Sequence, residues 1–588
     1  MQIPSVFKNR EALLQLPLSL INDSASFSIP QSLTLLTYLR LNVATPVKRA
    51  FQWMVDGMIS SADNCLSFSF PSKLFSHLHL SKNAPLSPNF LQTAMAWDLL
   101  YSWRALALAV VTVALSALYS YQSGRSPFPA TAPPVADEGV PILGMTRFFT
   151  NRWDFFRDNI KKSKSGYFSY WIGSHRMVGL SGAEARHLVF YNPDMNMEEG
   201  INLLFGGTTR RTSEGESFNG FFLRRMARAL KGDRIAKALP DLLSDVRKWI
   251  GEMTPTGESA ITDPFESVYA VIMQLTTRMV LCEELANDKA KQKSLVRWNE
   301  MVENSTTATT IIFPSLPSWA LLTRLYAGTR IYLTFDEVIK QRQKGGNRVD
   351  DALQIYLDFN DATHDTVMLL TASLFSGLVN SGVNGSWILL YLAKDAKWRQ
   401  MVMQEVRTVA DKYATASESS KQKTLIEKLE DVPLEAWETE FPMTYLCFRE
   451  TIRLQTVGSV IRKNSSGHDV AIGNEVVPDG AYTTYHLFDA HLNPAIYTNP
   501  EAWDPARYLP GREEDKSAPD GYLGWGLGRH LCAGMRFAKL EANMVTAFWM
   551  ASFDWDVVGD ELPALNVNAS AAHKPQTPVK LRYWRRED

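Results

Sequence analysis

Trp525-Gly526-Leu527-Gly528-Arg529-His530-Leu531-Cys532-Ala533-Gly534 sets a single cysteine in a glycine-bent loop among basic residues. A structural cysteine more often sits on an apolar helix or strand face. Cys532 is instead flanked by Gly528 and Gly534, which let a backbone approach a flat ligand closely. Backbone N–H groups freed by such a loop can point at the sulfur and tune its electron donation to a metal. The loop runs on into Met535-Arg536-Phe537-Ala538-Lys539-Leu540-Glu541, which reads as a helix. Taken alone, a glycine-rich loop with one cysteine is commonly just a loop, so the reading turns on what stands upstream.

Two stretches stand there. Phe441 to Leu454 reads as a helix with Glu450 and Arg453 at i,i+3, so the two charges share a face and can pair. An isolated pair of this kind is ordinarily a solvated surface pair of little worth. Further on lies Pro500-Glu501-Ala502-Trp503-Asp504-Pro505-Ala506-Arg507-Tyr508. The planar guanidinium of Arg507 suits bidentate bonding to a carboxylate.

The three segments resemble the signatures of the cytochrome P450 superfamily. The cysteine loop is similar to F-x-x-G-x-[RH]-x-C-x-G, with Trp525 for the usual Phe. The second segment is similar to E-x-x-R and the third to P-x-x-[FW]-x-P-x-R-[FY]. The resemblance covers roughly residues 130–588. It implies a mainly α fold with small β-sheets, and a haem b whose axial ligand is the Cys532 thiolate. It makes Trp525, Gly526, Gly528 and Gly534 the shaping residues of the cradle, and His530, Arg462 and Arg225 the candidate propionate ligands. Arg225 follows Phe221 at the family's aromatic-to-arginine spacing, although Phe lacks the usual N–H. It also implies a Glu450–Arg453–Arg507 charge triad behind the loop.

From Gly166 the chain reads as short strands, Tyr167 to Gly173 and Arg176 to Leu180, then a helix from Ala183. A long apolar helix is expected from Thr366 to about Leu392. By the resemblance it crosses the distal face of the haem and carries the main departure from the family pattern. Ser376-Gly377-Leu378-Val379-Asn380 stands where most members have [AG]-G-x-[DE]-[TS]. Valine carries no proton, and an amide does not titrate although it can hold a water. Asn380, Ser381 and Asn384 are therefore the candidates for ordering a water chain. The bland alternative for the two asparagines is local bonding to the helix backbone.

The 61 basic and 62 acidic residues leave a net charge of −1, which gives no reason to expect nucleic acid. Four widely spaced cysteines suggest neither a disulfide framework nor a zinc site and fit a reducing compartment. Ala105 to Tyr121, extendable back to Trp97, is long enough for a transmembrane helix, with Trp97, Trp103, Tyr119 and Tyr121 toward its ends. The expected organisation has a single-pass anchor at 97–121, a proline-rich hinge at 122–144 and a catalytic domain at 145–588. Residues 1–94 contain no clean signal peptide, and Met95 opens a segment that reads as a complete start. They are expected to be a poorly ordered extension or not part of the natural start.

The resemblance implies a monooxygenase of the endoplasmic-reticulum membrane with its catalytic domain in the cytosol, most similar to filamentous-fungal members of secondary metabolism. It implies dioxygen, electrons from NADPH through a separate cytochrome P450 reductase, with cytochrome b5 as a further donor, and a lipophilic small-molecule substrate. No flavin or nicotinamide fingerprint stands in the chain. The Val379-Asn380 pair keeps open an isomerase, dehydratase or peroxygenase, and a haem-binding protein without turnover is the minor alternative.

Overall fold

The computed structural model describes residues 125–205, 211–314, 316–346, 348–414 and 423–587. The expected extension, the anchor and the first residues of the hinge lie outside them. Strand β1 (Tyr167–Ile172) returns as β2 (His175–Leu180) through a two-residue turn at Gly173, which takes φ of 57°. A left-handed turn residue matches the twist of a tight hairpin and is cheapest as glycine. Strands β3 (Met195–Asn196), β5 (Ser459–Asn464) and β8 (Tyr482–His486) complete a five-stranded sheet of order β1-β2-β8-β5-β3. Strand β4 (Ala260–Thr262) joins β9 (Phe553–Val557) and β10 (Leu581–Arg585) in the order β4-β10-β9, and β6 (Val470–Ile472) pairs with β7 (Glu475–Val477).

Helices make up most of the remainder, and six frame the site. They are α1 (Gly182–Tyr191), α2 (Phe218–Ala229), α3 (Pro264–Val280), α4 (Thr363–Lys394), α5 (Pro442–Gln455) and α6 (Met535–Ser552). Helix α3 begins where Asp263 caps the Phe265 N–H and Pro264 fills the first turn. Helix α5 also opens on a proline, and the Glu405 carboxylate accepts from the Met443 and Thr444 N–H groups, supplying the missing cap.

The long apolar helix is α4, three residues longer at its start than the sequence suggests and two longer at its end. At ~1.5 Å per residue it runs on the order of 50 Å through the core. It is the one described helix long and apolar enough to cross a membrane, yet 61% of its most apolar window is buried in the protein. Gly377, Gly382 and Gly385 explain how it packs so closely on α3. A Cβ would lie 2.8 Å from Thr276 Cγ2 at Gly377, 2.5 Å from the Tyr269 ring at Gly382 and 3.3 Å from Val268 at Gly385.

Where it is described, the proline-rich segment is bonded to the sheet. Ala136 N–H donates to Ser169 O and Ser169 N–H to Pro134 O, which lays the chain along the edge of β1. Covering an exposed edge strand satisfies backbone groups that would otherwise invite another chain.

Candidate active site

The cysteine loop is built by its own backbone. Gly526 N–H donates to Leu523 O at 2.9 Å, His530 N–H to Leu527 O at 3.0 Å and Cys532 N–H to Trp525 O at 2.8 Å. Gly526 and Gly528 take φ of 72° and 55°, conformations that side chains resist. Gly528 is held further by space, since a Cβ there would stand 2.6 Å from the Tyr191 ring at the end of α1. Gly534 needs no such exemption: its φ is −93° at the cap of α6, and no protein atom lies within 4 Å of the Cβ position.

Cys532 is exposed, whereas the other two described cysteines, Cys282 and Cys447, are buried. The dense surroundings push the Cys532 thiol up, and backbone N–H groups of Gly534 and Met535 directed at the sulfur oppose this. Such N–H groups favour a thiolate. Burial drives the Cys447 thiol well up, carboxylates such as Glu405 add to the rise, and only its own backbone N–H opposes it.

Behind the loop the charge triad is assembled. Arg453 forks onto both Glu450 oxygens, Nε at 2.8 Å and Nη2 at 2.7 Å, and Arg507 Nε reaches Glu450 Oε1 at 2.9 Å. The Tyr508 hydroxyl and the Asp504 N–H also donate to Glu450, and all three charged side chains are fully buried. The remaining guanidinium donors are spent on the carbonyls of His491, Pro500, Thr498 and Ala502 and on Glu514. A buried ion network of this kind is costly to break at any one member, because the others are left uncompensated.

His491 couples this network to the loop. Its carbonyl accepts from Arg453, and its Nε2 accepts from the Leu523 N–H at 2.9 Å, one hydrogen bond before the Gly526 turn. Burial, with Arg453 nearby, pulls its pKa down to about 3, so the ring is neutral and can accept. Sequence reading missed His491, Tyr508 and Glu514. Tyr508 ends the P-x-x-W-x-P-x-R-Y stretch and could have been found there; a lone histidine after Ala490 gives no pattern.

Two predicted propionate ligands converge. Among the described residues, Arg462, on β5, is buried with only the adjacent Ile461 carbonyl as hydrogen-bond partner, and its Nε has none. His530 likewise leaves Nδ1 buried and unpartnered. The two are close enough for Arg462 to help depress the His530 imidazole to about 4, after burial and ahead of Arg529. Burial also lowers Arg462 to about 10, which still leaves it cationic at neutral pH. A buried cation and a neutral imidazole, both with free nitrogens near an exposed thiol, are the partners an anionic haem edge requires. The residues present therefore fit a haem.

Arg225 does not join them. Its Nε and Nη2 hold Asp361 at 2.8 and 2.7 Å, just ahead of α4, and its guanidinium lies 3.8 Å from the Phe359 ring centroid. A bidentate carboxylate 136 residues away in sequence claims the fork that a propionate would need. Trp525 packs 5.9 Å from Phe448, between rings, with its indole N–H unpartnered.

On α4 the three distal candidates separate. Asn380 is exposed. Asn384, one turn on, is buried and donates from Nδ2 to the Asn380 carbonyl at 2.9 Å and toward Thr456 Oγ1 at 3.5 Å, leaving Oδ1 without a partner. The local backbone bond is thus made by Asn384, with one acceptor in reserve. Ser381 lies one turn from Gly377, on the stripe that meets α3, and is close enough to Glu541 of α6 to act against the burial that raises its pKa. Asn380 and Asn384 stand at i,i+4 on one face of the helix, and Ser381 is buried beside them.

The two described surface recesses, about 320 Å³ beside Arg399 and Arg407 and about 230 Å³ beside Arg125 and Trp171, include none of these residues.

The chain matches the family description "Cytochrome P450" over residues 133–582. It is 33% identical over 436 residues to the cytochrome P450 monooxygenase AacuE of Aspergillus aculeatus, covering 72% of this chain and 86% of that protein. It is 29% identical to the cytochrome P450 monooxygenase nsrP of Aspergillus novofumigatus, covering 77% and 90%. Its fold is similar to that of retinoic acid-bound cyanobacterial CYP120A1, with a TM-score of 0.62 at 20% identity over 78% of this chain and 100% of that one. This chain belongs to the cytochrome P450 family, and is by that membership an oxidoreductase of haem-thiolate type.

Proposed function

We propose that the protein is a membrane-bound haem-thiolate monooxygenase that oxidises a lipophilic small molecule in secondary metabolism. Electrons come from NADPH through a separate cytochrome P450 reductase, with cytochrome b5 as a second donor. The carrying observation is the convergence of an exposed Cys532 with the unpartnered nitrogens of Arg462 and His530. Haem bound there supplies the activation of dioxygen. Cys532 would hold the iron, with the N–H groups of Gly534 and Met535 favouring its thiolate form. Arg462 and His530 would bind the propionates, and the triad keeps the loop in register through His491. Asn380, exposed on α4, can hold a water by its amide, and Asn384 offers Oδ1 to a water or a substrate hydroxyl. The fungal relatives named as monooxygenases support the reaction class.

Membrane attachment is supported by the apolar run 105–121 and by an exposed apolar group at the start of the helix Trp319–Gly345. There Trp319 is 83% exposed, beside Leu316, Leu322 and Tyr326. Such a patch marks a membrane or protein contact. The endoplasmic reticulum, with the catalytic domain cytosolic, is the compartment this reading assigns.

One observation favours a second reading. Val379 stands where an acid is usual, so isomerase, dehydratase or peroxygenase chemistry would bypass the missing proton relay. Mass spectrometry of metabolites from cells with and without the gene decides between them. A missing product heavier than its accumulated precursor by one oxygen supports monooxygenation. Equal mass, or loss of water, supports the second reading.

A further inference from the structure

The recess beside Arg125 and Trp171 lies outside the site described above and is built around a cation. Arg125 donates from Nη2 to the Ile142 carbonyl at 2.5 Å, and its guanidinium carbon stands 5.3 Å from the Trp171 ring centroid. Its Nε is buried without a partner, and among the described residues no carboxylate pairs with Arg125. A buried donor left unmade points to a missing acceptor. The carbonyl that holds Arg125 is set by a strained turn. Leu143 N–H donates to Pro141 O at 2.9 Å across Ile142, whose φ of 74° is one that a β-branched residue resists. Gly144 closes the turn against β1, where a Cβ would stand 2.2 Å from the Trp171 carbonyl. Asp137 and Glu138 line the same recess. Glu138 is held by Arg147 at 2.8 Å, with Lys162 at 3.5 Å, whereas the Asp137 side chain is 81% exposed and meets only Lys162, at 3.4 Å. An exposed pair of that length is weak. The recess therefore offers one occupant both a cation and a carboxylate. Its volume of about 230 Å³ lies below the ~300 Å³ at which pockets for drug-sized ligands begin.

We propose that this recess seats the headgroup of an ethanolamine phospholipid, with Arg125 on the phosphate and Asp137 on the ammonium. The proposal rests on the membrane-anchor reading and names the lipid that the anchored protein holds. Sequence distance supplies the occupant: the apolar run ends at Tyr121, and the four residues from there to Arg125 reach at most ~14 Å. A guanidinium binds phosphate oxygens through paired N–H groups. The carboxylates decide among headgroups. A serine headgroup would bring a further carboxylate beside Asp137 and Glu138, where like charges repel. A choline headgroup has no N–H to donate. The ethanolamine ammonium carries one positive charge and three donors, as a lysine side chain does.

The test uses the full-length holoprotein in nanodiscs of equal parts phosphatidylethanolamine, phosphatidylcholine and phosphatidylserine, in wild type, R125A and D137N. Native mass spectrometry after transfer to detergent counts the lipid that each retains. Wild type is expected to keep one phosphatidylethanolamine. R125A should lower that retention by roughly 10-fold or more, the scale of one charge-assisted hydrogen bond, and D137N should lose the preference for ethanolamine over choline. Asp137 is exposed, so D137N keeps the fold should R125A fail to. Retention of the three lipids by wild type in the proportions of the disc overturns the proposal. So does a preference for phosphatidylserine, or retention by both variants equal to that of wild type. Flotation of wild type with vesicles of the same lipids reports membrane attachment independently. A chain that does not float overturns the anchor reading and the proposal with it, whereas one that floats without selecting ethanolamine overturns the recess alone.

Discussion

The two sides of the cleft are made by opposite strategies. On the proximal side every element is over-determined: the thiolate loop is closed by its own backbone, braced by Tyr191 and tied through His491 to a fully buried network of one carboxylate and two guanidinium groups. On the distal side one helix is fixed in place by glycines against α3, while its Val379 and Asn380 depart from the family pattern. The contrast teaches that the chain holds its ligand geometry rigidly and varies the groups that handle protons and substrate. Substitutions on the proximal side should therefore cost folding or haem, and those on the distal side should change only what the bound haem does.

The largest effect is expected at Cys532. C532A should abolish the thiolate-type spectrum, whereas C447A should leave it intact, because Cys447 is buried away from the loop. Next comes the network. E450A leaves Arg453 and Arg507 buried and unpaired, a loss of about 3–5 kcal/mol that chemical denaturation or yield of soluble protein will read. Glu541 should set a pH trend. Its folded pKa is raised to about 8 by burial from a usual value of 4.5. Between those two values the native protein keeps a proton that the unfolded chain has released, so this group's contribution is full below about pH 4.5 and is lost as pH rises to about 8. E541Q should flatten that fall in melting temperature across the same window.

Smaller effects sharpen the comparison. R462A should speed haem loss by about 10-fold or more, the scale of one charge-assisted hydrogen bond, while N380A leaves haem retention unchanged. R225A should not speed haem loss either, because Asp361 is its partner. Equal haem loss from R462A and N380A would break the division between the two sides. Gly528→Ala should cost about 1–2 kcal/mol for the left-handed conformation, plus whatever the Tyr191 ring must yield.

The proximal side was legible in sequence because its parts are local motifs. A loop closed by bonds between Leu523 and Cys532 carries its geometry in a dozen residues, and the triad combines an i,i+3 pair with a distinctive proline-bounded stretch. The short strands β1 and β2 and the extent of the distal helix were equally readable from their apolar patterns. Arg225 was not, since its partner lies far along the chain and nothing local announces Asp361. The neighbourhood of Ser381 was not legible for a different reason. Ser381 stands one turn after Gly377, on the stripe that meets α3, and only the packing brings Glu541 of α6 beside it. The local bond of Asn384 to the Asn380 carbonyl was anticipated as the bland alternative, and the structure contains it.

The most direct test of the account is the carbon monoxide difference spectrum of the reduced, purified wild-type protein, taken alongside C532A. The account predicts a Soret maximum at the position characteristic of thiolate-ligated haem in wild type and its complete loss in C532A. A wild-type maximum at the shorter wavelength of haem without a thiolate ligand, or an unchanged thiolate band in C532A, would contradict the assignment of Cys532 as the ligand around which both sides of the cleft are built.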